Sequence, residues 1–213
     1  RSNKKVLKPA FSFLGDSRQT VRHQAELTVA LILRRASACG DQQTMDFASQ
    51  HLVQMLSDTK HDKKSAEEMP AQRGVALLQV VGPSLPEANL GDVCKALLQL
   101  PARLGQHPCC IEGFKFMASY FNREGEHTTL AVSVLPGLLG VPMSYLNVNY
   151  VVSYAKALAA CVAALTPESV RQGLPKEVAG QKLAAMKRIL SIFVERDPTL
   201  LRGAHEAGPP GLE

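Results

Sequence analysis

Asp16-Ser17-Arg18-Gln19-Thr20-Val21-Arg22-His23-Gln24-Ala25 is the stretch on which the fold of this chain turns. An acidic residue and a serine stand where a helix would begin, and Asp16 or Ser17 can accept hydrogen bonds from free backbone amides there. Val21 and Ala25 are four apart and share one helix face, while Arg22 falls on the neighbouring, exposed face. Val29 and Ile32 continue the apolar face and Leu33 widens it. The segment therefore reads as an amphipathic helix entered from a tight polar turn.

Outward from it, apolar residues keep helical spacing almost everywhere. Upstream, Val6, Phe13 and Leu14 mark a helix that ends at Gly15-Asp16. Downstream, Phe47, Leu52, Val53, Met55 and Leu56 mark a third helix, and Val75, Leu78 and Val81 a fourth, stopped by Gly82-Pro83. Leu90, Val93, Leu97, Leu98 and Leu104 mark a fifth; Phe114, Met117 and Phe121 a sixth, opened by Pro108. Leu130, Val134, Leu138 and Leu139 mark a seventh with Pro136 inside it, and Val148, Val151, Val152, Ala155, Leu158 and Val162 an eighth. Leu183, Met186, Ile189, Leu190 and Phe193 mark a final helix, ended by Asp197-Pro198. Sustained period-two alternation and Asn-Gly or Asp-Gly hairpin turns are missing. Tyr145 to Tyr154 has strand-like content but runs into Ala155-Lys156-Ala157-Leu158, which favours helix.

Odd-numbered helices begin near residues 4, 42, 87, 127 and 168, intervals of roughly 38, 45, 40 and 41 residues. This period, with the Asp, Val-Arg, Ala order of the opening stretch, resembles HEAT and armadillo repeats, whose length is about 40–47 residues. The expected fold is all-α: a right-handed α-solenoid of HEAT/armadillo-like helical hairpins. Residues 1–213 form one solenoid segment of about four helix pairs plus a terminal helix, with a flexible tail at 203–213; an irregular helical bundle is the alternative. Val21, Leu78, Leu97, Phe114, Leu158 and Leu190 are expected in the core, each being mid-helix on an apolar face. Residues 57–68 carry no apolar face and read as a solvated loop in which Lys60, Lys63 and Lys64 could meet phosphate.

Composition agrees with helices packed on helices. Apolar residues make up 46% of the chain but aromatics only 5%, so the interior is aliphatic. The formal charge of +5 permits an acidic partner such as RNA without demanding one. No run approaches the ~18 apolar residues a membrane span needs. The chain opens Arg1-Ser2-Asn3-Lys4-Lys5 and closes in Gly208-Pro209-Pro210-Gly211, which suggests a segment of a longer protein.

Signs of chemistry are sparse. Cys39, Cys94, Cys109, Cys110 and Cys161 are odd in number, lack Cys-x-x-Cys or Cys/His ligand spacing, and read as reduced core thiols. Cys109-Cys110 follow Pro108 at a helix start, where a lowered thiol pKa competes with a packing role. Gly180-Gln181-Lys182 lacks the rest of a phosphate loop, and Gly-x-Ser-x-Gly and His-Glu-x-x-His do not occur. The six histidines are scattered without a second ligand at i+3 or i+4. A non-catalytic chain is expected, with no cofactor, no metal and no small-molecule substrate.

The order and spacing of several short patterns resemble the HEAT-repeat region of the ribosomal RNA-processing protein twelve family. They are Phe11-Ser12-Phe13 before the Val21-Arg22 helix, the Leu77 to Glu87 segment closing on a Pro-Glu turn, Cys94 with Leu97, Leu98 and Leu100, and Phe114 with Phe116 to Phe121. The likeness runs from Phe11 to about Leu165. It implies a nucleolar and nuclear scaffold of small-ribosomal-subunit assembly and export, whose partners are pre-ribosomal proteins and pre-rRNA. The chain departs from the family in being far shorter and in lacking its long charged tail. A HEAT-type protein–protein adaptor in trafficking, cytoskeletal or signalling complexes, in the cytoplasm, is the alternative. Under either reading the contact candidates are the early basic set Lys4, Lys5, Lys8, Arg18, Arg22, Arg34 and Arg35 and the late set Lys182, Lys187 and Arg188. Arg18 and Arg22, four apart, share a helix face.

Overall fold

The structure is a computed structural model that describes residues 4–59, 69–143, 147–165 and 176–196. All regular structure among them is helical: α1 (Lys4–Phe13), α2 (Gln19–Ala38), α3 (Gln42–Ser57), α4 (Pro70–Val81), α5 (Glu87–Leu104), α6 (Pro108–Phe121), α7 (Thr128–Gly140), α8 (Val148–Ala164) and α9 (Lys176–Arg196). A 3-10 turn at Gly82–Ser84 links α4 to α5. None of these helices is long and apolar enough to cross a membrane. The strand-like stretch before Ala155 is helical from Val148. The Lys60, Lys63 and Lys64 loop, the start expected near 168, the Asp197-Pro198 stop and the 203–213 tail lie outside the described residues.

Local signals set the helix limits. Asp41 caps α3 by accepting from the Thr44 N–H at 3.1 Å, and Asn147 caps α8 through the Tyr150 N–H at 3.2 Å. Pro70 and Pro108 sit in first turns, where the missing N–H costs nothing. Gly40 and Gly105, at φ +65° and +63°, take the left-handed conformation that ends α2 and α5. The N-cap of α2 is Arg18, and the Asp16 carboxylate accepts from its free backbone N–H at 2.9 Å, as expected, and from its guanidinium at 3.0 and 3.1 Å.

Packing follows one rule along the chain. Each helix packs on the helix two places on: α1 on α3, α3 on α5, α5 on α7, α7 on α9; α2 on α4, α4 on α6, α6 on α8; consecutive helices pack together as well, except α4 with α5 and α6 with α7. Two rows of helices result, with a shared aliphatic interior between them. Leu78, Leu97, Phe114 and Leu158 are buried in it as expected. The Phe114 ring lies edge-on to Tyr150 and Tyr154 at 5.4 and 5.5 Å, locking α6 to α8. A polar cluster fixes α3 against α5, where Asn89 donates to Asp46 at 2.8 Å and Ser49 at 3.1 Å. Gln42 donates to both Asn89 and Asp46.

Helix C-termini are capped in a shared manner. The last carbonyls of a helix lack internal partners and carry partial negative charge. Cations from later helices meet them: Arg73 donates to Leu14 O at 3.4 Å, Arg103 to Ser57 O at 3.0 Å and Lys182 to Leu165 O at 2.7 Å. Arg188 donates to Leu139 O and Val141 O at the end of α7, with its guanidinium 5.2 Å from the Tyr154 ring centre.

Several sequence expectations about burial are corrected. Val21 is only half-buried, and Val6, Phe13 and Val148 are exposed. Leu190 is 63% exposed, not core, and Leu183, Met186 and Phe193 are exposed with it. The apolar arc of α9 is wider than α7 and α8 can cover. Val178, Ala185 and Ile192, seven apart, turn inward, and the 183–193 residues occupy the adjoining part of the arc. Cys39 is exposed, since it caps the end of α2; the other four cysteines are buried.

Candidate functional site

The first hairpin carries an open apolar groove. α1 and α2 are antiparallel, joined by the turn that Arg22 ties down through Asp16 O and Ser17 O at 2.8 and 2.9 Å. Val6, Pro9, Ala10 and Phe13 recur at i, i+3, i+4 and i+7 on α1, and Val21, Gln24, Ala25 and Thr28 repeat that spacing on α2. Together they enclose about 340 Å³. The opposite face of α1 provides the anchorage: Leu7, Phe11 and Leu14 are buried, and Phe11 packs edge-on to Phe47 at 6.1 Å and against His51 at 4.3 Å. Burial lowers the His51 pKa, favouring a neutral ring beside these aromatics.

The apolar surface continues along α2. Leu27 and Leu31 are exposed, Leu31 by 70%, and lie four apart on one face. Arg34 and Arg35 follow at i+3 and i+4 from Leu31, both exposed. Lys5 is exposed four residues before Pro9 and flanks the groove from α1; Lys8 is exposed on the side of α1 away from it. Lys5, Lys8, Arg34 and Arg35 make no ion pair among the described residues.

The candidate basic residues thus separate by role. Lys5, Arg34 and Arg35 are exposed on α1 and α2 but are not among the residues that line the groove. α1 starts at Lys4, whose side chain is not among those described. Arg18 is exposed but paired with Asp16, and its hydrogen bonds hold the Asp16 carboxyl down to about 2. Arg22, expected on an exposed face, is half-buried and bound to backbone carbonyls. Lys182 and Arg188 are half-buried at helix C-termini, and Lys187 is exposed. The early and late sets do not form one patch.

What the sequence reading passed over is an asymmetry of charge. Residues 1–40 hold eight Lys and Arg against two acidic residues, while the remaining chain holds sixteen against seventeen. The whole positive excess resides in the hairpin that bears the groove. A windowed charge count would have found it; whole-chain charge hides it.

A second group of residues has chemistry of its own. His107 Nδ1 accepts from the Cys109 N–H at 3.2 Å and lies 3.1 Å from Cys109 Sγ. Cys109 lines a recess of about 260 Å³ between α4 and α6 with Gln72, Gln79 and Glu112. Hydrogen bonding from Cys110 is the largest influence lowering the Cys109 thiol to about 6, against the effect of burial, while Cys110 is pushed up. Spacing rules missed this pair because His107 acts as the N-cap of α6. Cys94 and Cys161 are raised to about 12 by burial and stay protonated. No group of three or more His, Cys, Asp or Glu among the described residues is placed to hold a metal ion.

No protein-family model, curated protein or solved structure matches this chain. Fold and site alone define its class: an all-helical protein of two packed helix rows with an apolar groove on its first hairpin.

Proposed function

We propose that this chain is a HEAT-type solenoid segment, right-handed and non-catalytic, that serves as a scaffold through its helical surface. The observation that carries the reading is the packing rule, in which each helix from α1 to α7 meets the helix two places on, with α1, α3, α5 and α7 starting at residues 4, 42, 87 and 128. Such stacking builds extended surfaces suited to macromolecular partners. The family resemblance supports a nucleolar and nuclear setting, with pre-ribosomal proteins and pre-rRNA of the small subunit as the partners. The exposed Lys5, Arg34 and Arg35 suit an acidic partner of either kind.

Affinity purification of the parent protein tests this reading. Small-subunit precursors should be recovered, and reversing Lys5, Arg34 and Arg35 to Glu should reduce them while leaving helicity unchanged. Vesicle-coat or cytoskeletal partners in their place would refute the ribosomal part and leave a protein adaptor.

A further inference from the structure

We infer that the cluster of His107, Cys109 and Cys110 at the start of α6 is a redox modification site, at which the Cys109 sulfur takes an oxygen atom from a small hydroperoxide and holds it as a sulfenic acid. This goes beyond the scaffold reading and is independent of it: the chain itself is modified, and no substrate is turned over.

Two side chains converge on one sulfur. The Cys110 thiol hydrogen-bonds to Cys109 Sγ. His107 Nδ1 lies 3.1 Å from the same sulfur and accepts the Cys109 N–H at 3.2 Å, so the backbone fixes the ring beside it. The first turn of α6, with its free amides, adds partial positive charge at this place. The two thiols have different surroundings. Cys110 is buried near Tyr150 of α8 and is pushed up, so it stays a donor. Cys109 faces the recess between α4 and α6.

The recess sets the class of reactant. It encloses about 260 Å³, yet Cys109 on its wall is only 2% exposed. Such a sulfur is reached by a molecule of a few atoms and is shielded from the disulfide of a peptide or a folded protein. Gln72 and Gln79 line the α4 side. Gln79 donates to Glu112 at 3.0 Å, whereas the Gln72 amide makes no hydrogen bond among the described residues. It is free to bind the oxygen of a hydroperoxide or of a sulfenic acid.

In the step, a lone pair of the Cys109 thiolate attacks the hydroxyl oxygen of the hydroperoxide. The S–O bond forms and the O–O bond breaks. The hydroxyl keeps its hydrogen and becomes the S–OH group, while the departing oxygen takes from solvent the proton that the thiol released on ionising. Sulfur loses two electrons and the hydroperoxide is reduced to water or an alcohol. Cys110 does not then close a disulfide. Adjacent Cα atoms are about 3.8 Å apart, below the span of a disulfide, and successive helical side chains point about 100° apart. Closure would unwind the first turn of α6, so the sulfenic acid persists.

The test treats the full chain with hydrogen peroxide at about pH 6, traps sulfenic acid with dimedone and reads each cysteine by peptide mass spectrometry, with the exposed Cys39 as internal reference. At this pH a thiol lowered to about 6 is about half ionised, against about 0.3% for an ordinary thiol at about 8.5. Its weaker intrinsic nucleophilicity offsets about tenfold of that ratio, so Cys109 should be labelled about tenfold faster than Cys39. Cys110→Ala should slow the labelling, and Cys110→Ser, which keeps a donor, should largely restore it. His107→Asn, which keeps a capping side chain but removes the ring, should also slow it. Circular dichroism checks that the variants are folded, and the comparison within the wild-type chain stands without them. Labelling of Cys109 no faster than Cys39 overturns the inference, as does a Cys110→Ala protein that reacts like wild type. A Cys109–Cys110 disulfide in place of the sulfenic acid also overturns it. So does a mixed disulfide at Cys109 formed as readily with glutathione disulfide, since the recess would then not select a small hydroperoxide.

Discussion

Gly82→Ala is the substitution whose cost the structure fixes most directly. Gly82 has φ −51° and ψ −40°, a conformation open to any residue, so the backbone does not require glycine there. The approach of α6 does. A Cβ at this position would stand 2.5 Å from Cε2 and 2.6 Å from Cζ of Phe116, and 3.2 Å from Cδ1 of Leu78. Carbon atoms pack at about 3.5–4.0 Å, so the ring must retreat by about 1 Å. Phe116 is buried, with Tyr120 tilted against it at 6.0 Å, so the retreat disturbs a second ring. Overpacking of this kind costs about 1–3 kcal/mol. Alanine returns about 0.4–1 kcal/mol by restricting the unfolded chain. The net expectation is a loss of about 1–2 kcal/mol, seen as a lower urea midpoint at an unchanged slope. Adding Phe116→Leu should recover part of it, with a coupling of about 1 kcal/mol between the two sites. A Gly82→Ala protein as stable as wild type, or strictly additive effects, would refute the steric reasoning.

Three further outcomes follow from the packing and the helix ends. Leu97→Ala removes a fully packed side chain of α5 and should cost about 2–5 kcal/mol by urea unfolding; an unchanged midpoint would contradict its burial. Arg188→Ala removes two charge-assisted hydrogen bonds to the end of α7, at about 1.5–3 kcal/mol each before water replaces them. Amide exchange should quicken in α9 and the end of α7 and stay unchanged in α1 to α3, since damage in stacked helices remains local. The Cys109 thiol, lowered to about 6, should ionise well below an ordinary cysteine. Thiolate absorbance should therefore grow as pH rises through about 6 and vanish in Cys109→Ser; a first ionisation above pH 8 would exclude the hydrogen-bonded arrangement.

The asymmetry between the two basic sets explains how far sequence reading reached. Spacing placed Arg188 on a helix, and formal charge made it a contact candidate. Only the meeting of α9 with the end of α7 turned it into a cap for Leu139 and Val141. Arg22 also left the surface, because its guanidinium folds back onto the carbonyls of Asp16 and Ser17 in the turn before its helix. Arg34 and Arg35 stayed on the surface and make no ion pair among the described residues. His107 and Cys109 lie two residues apart, a spacing that signals nothing until His107 takes the cap position.

The sequence by itself determined the helices, because the 3.6-residue repeat of apolar side chains, the prolines of first turns and the glycines of helix ends are local properties of the chain. It also determined Leu78, Leu97, Phe114 and Leu158 as core, since each lies at the centre of its apolar arc. The tertiary structure alone decided which part of a wide arc is covered. On α9 it took Val178, Ala185 and Ile192 and left Leu183, Met186, Leu190 and Phe193; on α1 it took Leu7 and Phe11 and left Val6 and Phe13. The physical reason is that periodicity specifies a direction around a helix, whereas burial depends on how many neighbours stand in that direction, and an end helix has fewer than its apolar surface could engage.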